Sequence, residues 1–108
     1  MTQQSIALAE MLMALENELR NLYVWDVEPP SAEALSSIEP FSLDRLNFAQ
    51  WLQFVFIPRL RFMIENRLAL PNNSDVSPMA EEYFRGFNVN SDAVILYVRN
   101  IDRLLSET

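Results

Sequence analysis

Four glutamates come nearest, by type and spacing, to acid–base or metal chemistry: Glu16 with Glu18, and Glu81 with Glu82. A carboxylate pair acts as acid and base, or holds a cation, only when its oxygens converge on one atom. Adjacent side chains on a helix diverge instead, and Glu16 and Glu18 diverge similarly. Both pairs read better as solvated helix faces than as a hydrolase or carboxylate metal site. The chain has no histidine, no cysteine and no lysine. Histidine acid–base catalysis, thiolate nucleophiles, Cys/His zinc sites, disulfides and Schiff-base chemistry are all excluded. The single glycine, Gly86, removes the glycine-rich loops that cradle phosphates. The expectation is a protein that is not an enzyme and carries no cofactor and no metal.

Arginine supplies every basic side chain. The net charge of −7 argues against a general nucleic-acid binder, because phosphate affinity comes mainly from Lys and Arg contacts. The distribution is uneven. Between Arg45 and Arg67 stand Arg45, Arg59, Arg61 and Arg67 against one acid, Glu65, a local charge of +3 within a chain of −7. Either these arginines pair with acids elsewhere in the fold, or they form a docking face for an acidic or RNA-containing partner.

The elements that position these residues read as helices. A chain of 108 residues, half of them apolar, fits one domain spanning residues 1–108, and so few glycines favour helices over sheet. Leu8, Leu12, Leu15, Leu19 and Leu22 form one stripe, which predicts a helix from about Ser5 to Tyr23. "PPSAEALSS" predicts a short connector helix with proline in its first turn. The longest candidate helix runs from about Ser42 to Leu70, with Ser42 or Asn47 (with Gln50) as its cap. Ser77, followed by Pro78, is expected to cap the next helix, which ends at Gly86 in a left-handed conformation. After a turn at "FNVN", Ser91 is expected to cap a last helix whose stripe is Val94, Val98, Ile101 and Leu105. The fold class is an all-α compact bundle of about four main helices plus a short connector helix.

"WLQFVFIPRLRFMI", from Trp51, lies in the longest helix. A membrane span needs roughly 18 apolar residues with few charges; here Gln53, Arg59 and Arg61 interrupt the run. A strand does not accommodate Pro58 in its ladder. What remains is a central helix bent or broken at Pro58, whose ring presses on the Phe54 carbonyl. Arg59 falls on the apolar side, where a lone charge is costly, so a carboxylate partner is expected from Glu28, Glu39 or Asp44. Phe48, Trp51, Phe54, Phe56 and Phe62 are more aromatics than one bundle face buries. Either the helix is covered on most sides, or part of it is exposed as a groove or dimer patch. Trp51, Phe54, Pro58, Arg59 and Arg61 are the candidate interaction surface.

These residues resemble the YqcC-like family of small bacterial proteins. The resemblance rests on "PF" at Pro40–Phe41, Asp44, "QWLQFVFIPRL" from Gln50 to Leu60, and "LP" at Leu70–Pro71. The terminal helices match only as generic amphipathic helices. The resemblance implies a compact all-helical bundle without known catalytic residues. The family's genes often stand beside a tRNA pseudouridine synthase, which implies an accessory role in tRNA modification.

The expected function is therefore a non-enzymatic protein-interaction module whose partner is a tRNA-modifying enzyme or a second copy of the chain. The alternative is direct RNA binding through Arg45, Arg59, Arg61 and Arg67, with Trp51 as a stacking platform. "MTQQSIALAE" lacks a basic n-region and meets Glu10 early, so it does not read as a signal peptide, and a cytoplasmic location is expected.

Overall fold

The computed structural model describes residues 2–87 and 90–107, and among them all regular structure is helical. Helix α1 spans Gln3–Asn21 and is capped by the Thr2 hydroxyl, which accepts from the Ser5 amide. Of its predicted stripe, Leu8, Leu12, Leu15 and Leu19 are fully buried and Leu22 is partly so. A short helix α2, Ala32–Leu35, is capped by Ser31. Pro29 and Pro30 thus precede the helix rather than open it. A 3₁₀ turn at Pro40–Ser42 leads into the central helix.

The central helix is continuous from α3 (Phe48–Trp51) through a π turn (Leu52–Phe56) into α4 (Ile57–Glu65). Asn47 caps it in a full capping box with Gln50, so the later of the two candidate starts is the real one. The disturbance expected at Pro58 takes the form of this π turn. Proline has no amide hydrogen and its ring collides with the carbonyl four residues back. Widening the preceding turn, so that the Ile57 amide bonds to the Leu52 carbonyl, relieves that collision without breaking the helix.

Helix α4 stops at Glu65, short of the expected Leu70, in a left-handed cap. The Arg67 amide bonds to the Ile64 carbonyl and the Leu68 amide to that of Met63, with Arg67 at φ 57. Tyr23 closes α1 by the same bonds, at φ 60. Non-glycine residues thus take the left-handed positions, whereas Gly86 does not have positive φ and the expectation for it is wrong.

Helix α5, Ser77–Phe84, packs against α6, Asp92–Ser106, which lies along α1. Ser77 does not cap α5. The cap is the buried Asp102 of α6, which accepts from the Val76 and Ser77 amides at 2.9 and 2.7 Å and from the Ser74 hydroxyl at 2.6 Å. Ser91 sits at the head of α6 without a side-chain capping bond. The expected turn "FNVN" includes Asn88 and Val89, which lie outside the described residues. Val94, Val98, Ile101 and Leu105 are fully buried, as their spacing predicts. Among the described residues no helix is long and apolar enough to cross a membrane.

Candidate functional site

The connector reaches the central helix through two amides. The Gln53 carboxamide accepts from the Asp26 amide and donates to the Asp26 carbonyl, both at 2.8 Å. Gln50 donates to the Asp26 carboxylate at 3.1 Å. Gln53 is buried, so these bonds satisfy a group that is otherwise expensive to desolvate. Burial pushes the Tyr83 phenol above its usual range, and the Asp26 charge adds to that.

Beyond this clamp the connector doubles back at Pro40. Phe41 and Ser42 both adopt left-handed backbone, φ 56 and 52. For a bulky residue such as Phe this costs on the order of 1–2 kcal/mol. The turn places the Phe41 ring edge-on to Trp51, with centroids 4.9 Å apart. Trp51 stacks on Phe56 at 5.2 Å and on Phe48 at 5.8 Å. An aromatic wall therefore stands on the π turn and is closed at one end by the strained connector.

Two cavities open on this wall. One, of about 370 Å³, is bordered by Trp51, Phe56, Leu60, Pro71 and Asp75. The other, of about 350 Å³, is bordered by Leu35, Ile38 and Val55. Both share Pro40, Phe41, Trp51 and Arg59, so Arg59 stands where they meet.

The carboxylate partner expected for Arg59 is absent. Arg59 is exposed and forms no ion pair among the described residues. Asp44 instead pairs with Arg45 at 3.4 Å and accepts from Ser37, while Glu33 also holds Arg45 at 3.1 Å. The error was the burial: the apolar side of the helix near Arg59 faces open cavities rather than protein, so the guanidinium stays hydrated without a counter-ion.

The remaining candidate surface residues separate. Trp51 is 8% exposed, with its faces taken by Phe48 and Phe56, so it offers no platform for a base. Phe54 is half-buried and borders neither cavity, and Pro58 is exposed. Arg61 turns to α1, where it holds Glu16 at 3.0 Å. Burial pushes the Glu16 carboxyl up, but hydrogen bonds and charge from Arg61 and Arg20 together bring it below its ordinary value. The four central arginines thus do not form one face. Arg67 lies beside Thr2, Ser5, Ile64 and Leu68, away from the aromatic wall.

Three of the four candidate acids are ion-paired; Glu16 is held by Arg20 and Arg61, whereas Glu18 accepts from the Asn21 side-chain amide at 3.4 Å. Glu81 holds Arg99 on α6, and Glu82 holds Arg85 at 2.9 Å. Among the described residues no group of three or more acids could hold a metal ion. Sequence reasoning missed Phe41 and Ser42 as strained residues. No pattern marks a left-handed Phe-Ser pair, although Pro40 marks the turn. It also missed Asp102, whose only signal was its place beside Ile101 and Leu105 on a buried helix face.

A family model described as tRNA pseudouridine synthase C matches residues 7–104. An uncharacterised protein of Haemophilus influenzae is 44% identical over 77 residues, covering 71% of this chain and 73% of its own. A Pectobacterium carotovorum protein named tRNA pseudouridine synthase C is 44% identical over 64 residues, 59% of this chain but 17% of its own. Protein YqcC of Escherichia coli is 28% identical over 96 residues, covering 89% of this chain and 88% of its own. The solution NMR structure of YqcC matches with a TM-score of 0.85 at 25% identity, covering 98% of this chain and 91% of that one.

Proposed function

The chain belongs to the YqcC-like family, and on that premise we propose that it is a non-catalytic accessory module that docks onto a tRNA pseudouridine synthase. One observation carries this reading. The Pectobacterium protein that bears the synthase name contains the matching segment as only 17% of its length. The same unit thus occurs within a longer chain named for that enzyme and, in YqcC, makes up 88% of the chain. Within one chain the two parts meet at high effective concentration; as separate chains they need an interface.

The side chains agree with a docking role. Of the four acids that might do chemistry, Glu16, Glu81 and Glu82 are committed to arginines and Glu18 to Asn21. The π turn and left-handed Phe41 and Ser42 gather at an open cleft with an aromatic wall rather than around a reactive group. Direct contact with RNA finds less support, because the central arginines are dispersed and Trp51 is covered.

The test is co-expression with the tRNA pseudouridine synthase of the same bacterium, followed by nuclease treatment and size-exclusion chromatography. A complex that survives nuclease is expected. Separate elution at micromolar concentrations overturns the proposal. A complex that dissolves on nuclease treatment returns the reading to RNA.

A further inference from the structure

We propose that the groove at Arg59 receives a segment of a protein partner that carries one carboxylate beside a large apolar side chain. This names the surface through which the accessory role acts, and so it rests on that reading.

The charge argument comes first. Acids outnumber arginines by 15 to 8, yet among the described residues Arg59 has no acid partner. Arg20, Arg45, Arg61, Arg85 and Arg99 all have one. Among the described residues Arg67 and Arg103 lack one too, but neither borders the aromatic wall. A guanidinium next to low-dielectric rings binds a carboxylate more strongly than one in open water, and in a bidentate geometry.

The apolar argument is independent of it. Val55 and Arg59 border the groove; Pro58 and Phe62 continue that helix face outside the cavities, and Phe62 is 59% exposed. Across the groove, Ile38 on the connector is 97% exposed and Leu35 is also exposed. Facing apolar edges of this kind mark an interaction surface. The cavity of about 350 Å³ lies between them, and the adjoining cavity of about 370 Å³, walled by Trp51, Phe56 and Leu60, suits a single large side chain as anchor.

The backbone agrees. The groove is bounded by the π turn on one side and by left-handed Phe41 and Ser42 on the other. Both are features that cluster at binding sites.

The occupant is a protein segment rather than a nucleic acid. A chain of −7 with one free cation in the groove repels a polyanion. Asp75 borders one cavity and Glu39 the other, so the segment carries one acid placed at Arg59 and not an acidic run.

Two measurements test this. In the first, the protein is titrated with 3-phenylpropionate and with 3-phenylpropionamide while the Arg59 Nε–H and Trp51 indole signals are followed by NMR. The acid should shift both signals, the amide much less, and Arg59→Glu should abolish the difference. Equal shifts with acid and amide, or none with either, overturn the proposal. In the second, affinity for the synthase is compared between Arg59→Glu and Arg103→Glu. Arg59→Glu should weaken binding by about tenfold or more, the scale of a lost interfacial charge pair, and Arg103→Glu should leave it unchanged. If Arg59→Glu binds as tightly as the native chain, the groove is rejected while the synthase reading stands. If the native chain responds to the acid but ignores the synthase, the groove stands and the synthase reading falls.

Discussion

The two sides of the central helix are built in different ways. Toward α1 and α6 the packing is regular: Leu8, Leu12, Leu15 and Leu19 meet a core that includes Val94, Val98 and Ile101, all at most 1% exposed. Toward the connector the same helix widens into a π turn, meets two left-handed residues and leaves Phe62 and Arg59 open. The regular side closes on itself because helical spacing supplies enough apolar surface for it. The irregular side keeps an aromatic wall and, among the described residues, a cation without an acid partner at the surface, which folding alone does not require. This contrast teaches where to look for stability and where to look for binding.

The sharpest way to break the contrast is to truncate one apolar side chain on each side. Leu12→Ala removes a fully buried side chain and should cost about 3 kcal/mol, within the range for buried leucines. Phe62→Ala removes a larger but half-exposed ring and should cost less than about 1 kcal/mol, while weakening partner binding. Urea unfolding of both variants measures the difference. Equal costs would mean that the Phe62 side is as much core as the Leu12 side.

Asp102→Ala comes next. It leaves the Val76 and Ser77 amides at the head of α5 without their acceptor, and strands the Ser74 hydroxyl. Unsatisfied buried donors together with a lost helix-dipole partner set the cost at about 2–3 kcal/mol. Amide hydrogen exchange should show α5 opening first. Exchange that quickens evenly over all helices would mean that Asp102 serves the whole core rather than this cap.

The regular side was legible in the sequence because its information is periodic. The leucine stripe of α1 and the stripe of α6 were readable without knowing what they face, and the Asn47–Gln50 box marked one of two starts for the central helix. Asp102 was not legible: an acid beside Ile101 and Leu105 looks like a helix boundary residue until α5 is brought to it from 25 residues away. Nor was the Arg59 groove. The apolar side of a helix was equated with a buried side, and a carboxylate was assigned to Arg59. Which apolar side remains uncovered depends on where the connector runs, and that is set by Gln53 reaching back to Asp26 over 27 residues. The Pro58 signal was real, but its outcome as a π turn depends on the neighbours that keep both halves of the helix in line.

The left-handed residues sharpen the contrast at smaller magnitude. Tyr23 closes α1 at φ 60 and is 95% exposed, so its side chain contributes little to packing. Tyr23→Gly should stabilise the chain by about 0.5–1 kcal/mol, the relief of left-handed strain less the entropy that glycine adds to the unfolded state. Phe41 has nearly the same φ but packs edge-on against Trp51, so Phe41→Gly should lose stability despite the same backbone relief. Thermal melts of the two variants should move in opposite directions. Shifts of the same sign would remove the distinction between a strained cap and a strained binding turn.

An effect of similar size, but dependent on pH, lies where α1 meets α4. Burial raises the Glu16 carboxyl, but hydrogen bonds and charge from Arg61 and Arg20 outweigh it, so the group titrates below its ordinary value of 4.5. A carboxyl that holds a proton less readily folded than unfolded adds stability above the unfolded value. That stability is lost as pH falls through the lower, folded value. Glu16→Gln should therefore cost about 0.5–1 kcal/mol at neutral pH, typical of a partly exposed ion pair, and should match the native chain once both are well below that range. Arg59→Gln, by contrast, has no ion pair among the described residues to lose and should leave the acid limb of the stability curve unchanged. The comparison fails if both substitutions flatten that limb equally, because Arg59 would then be paired in solution and the groove would already be filled by the chain's own acids.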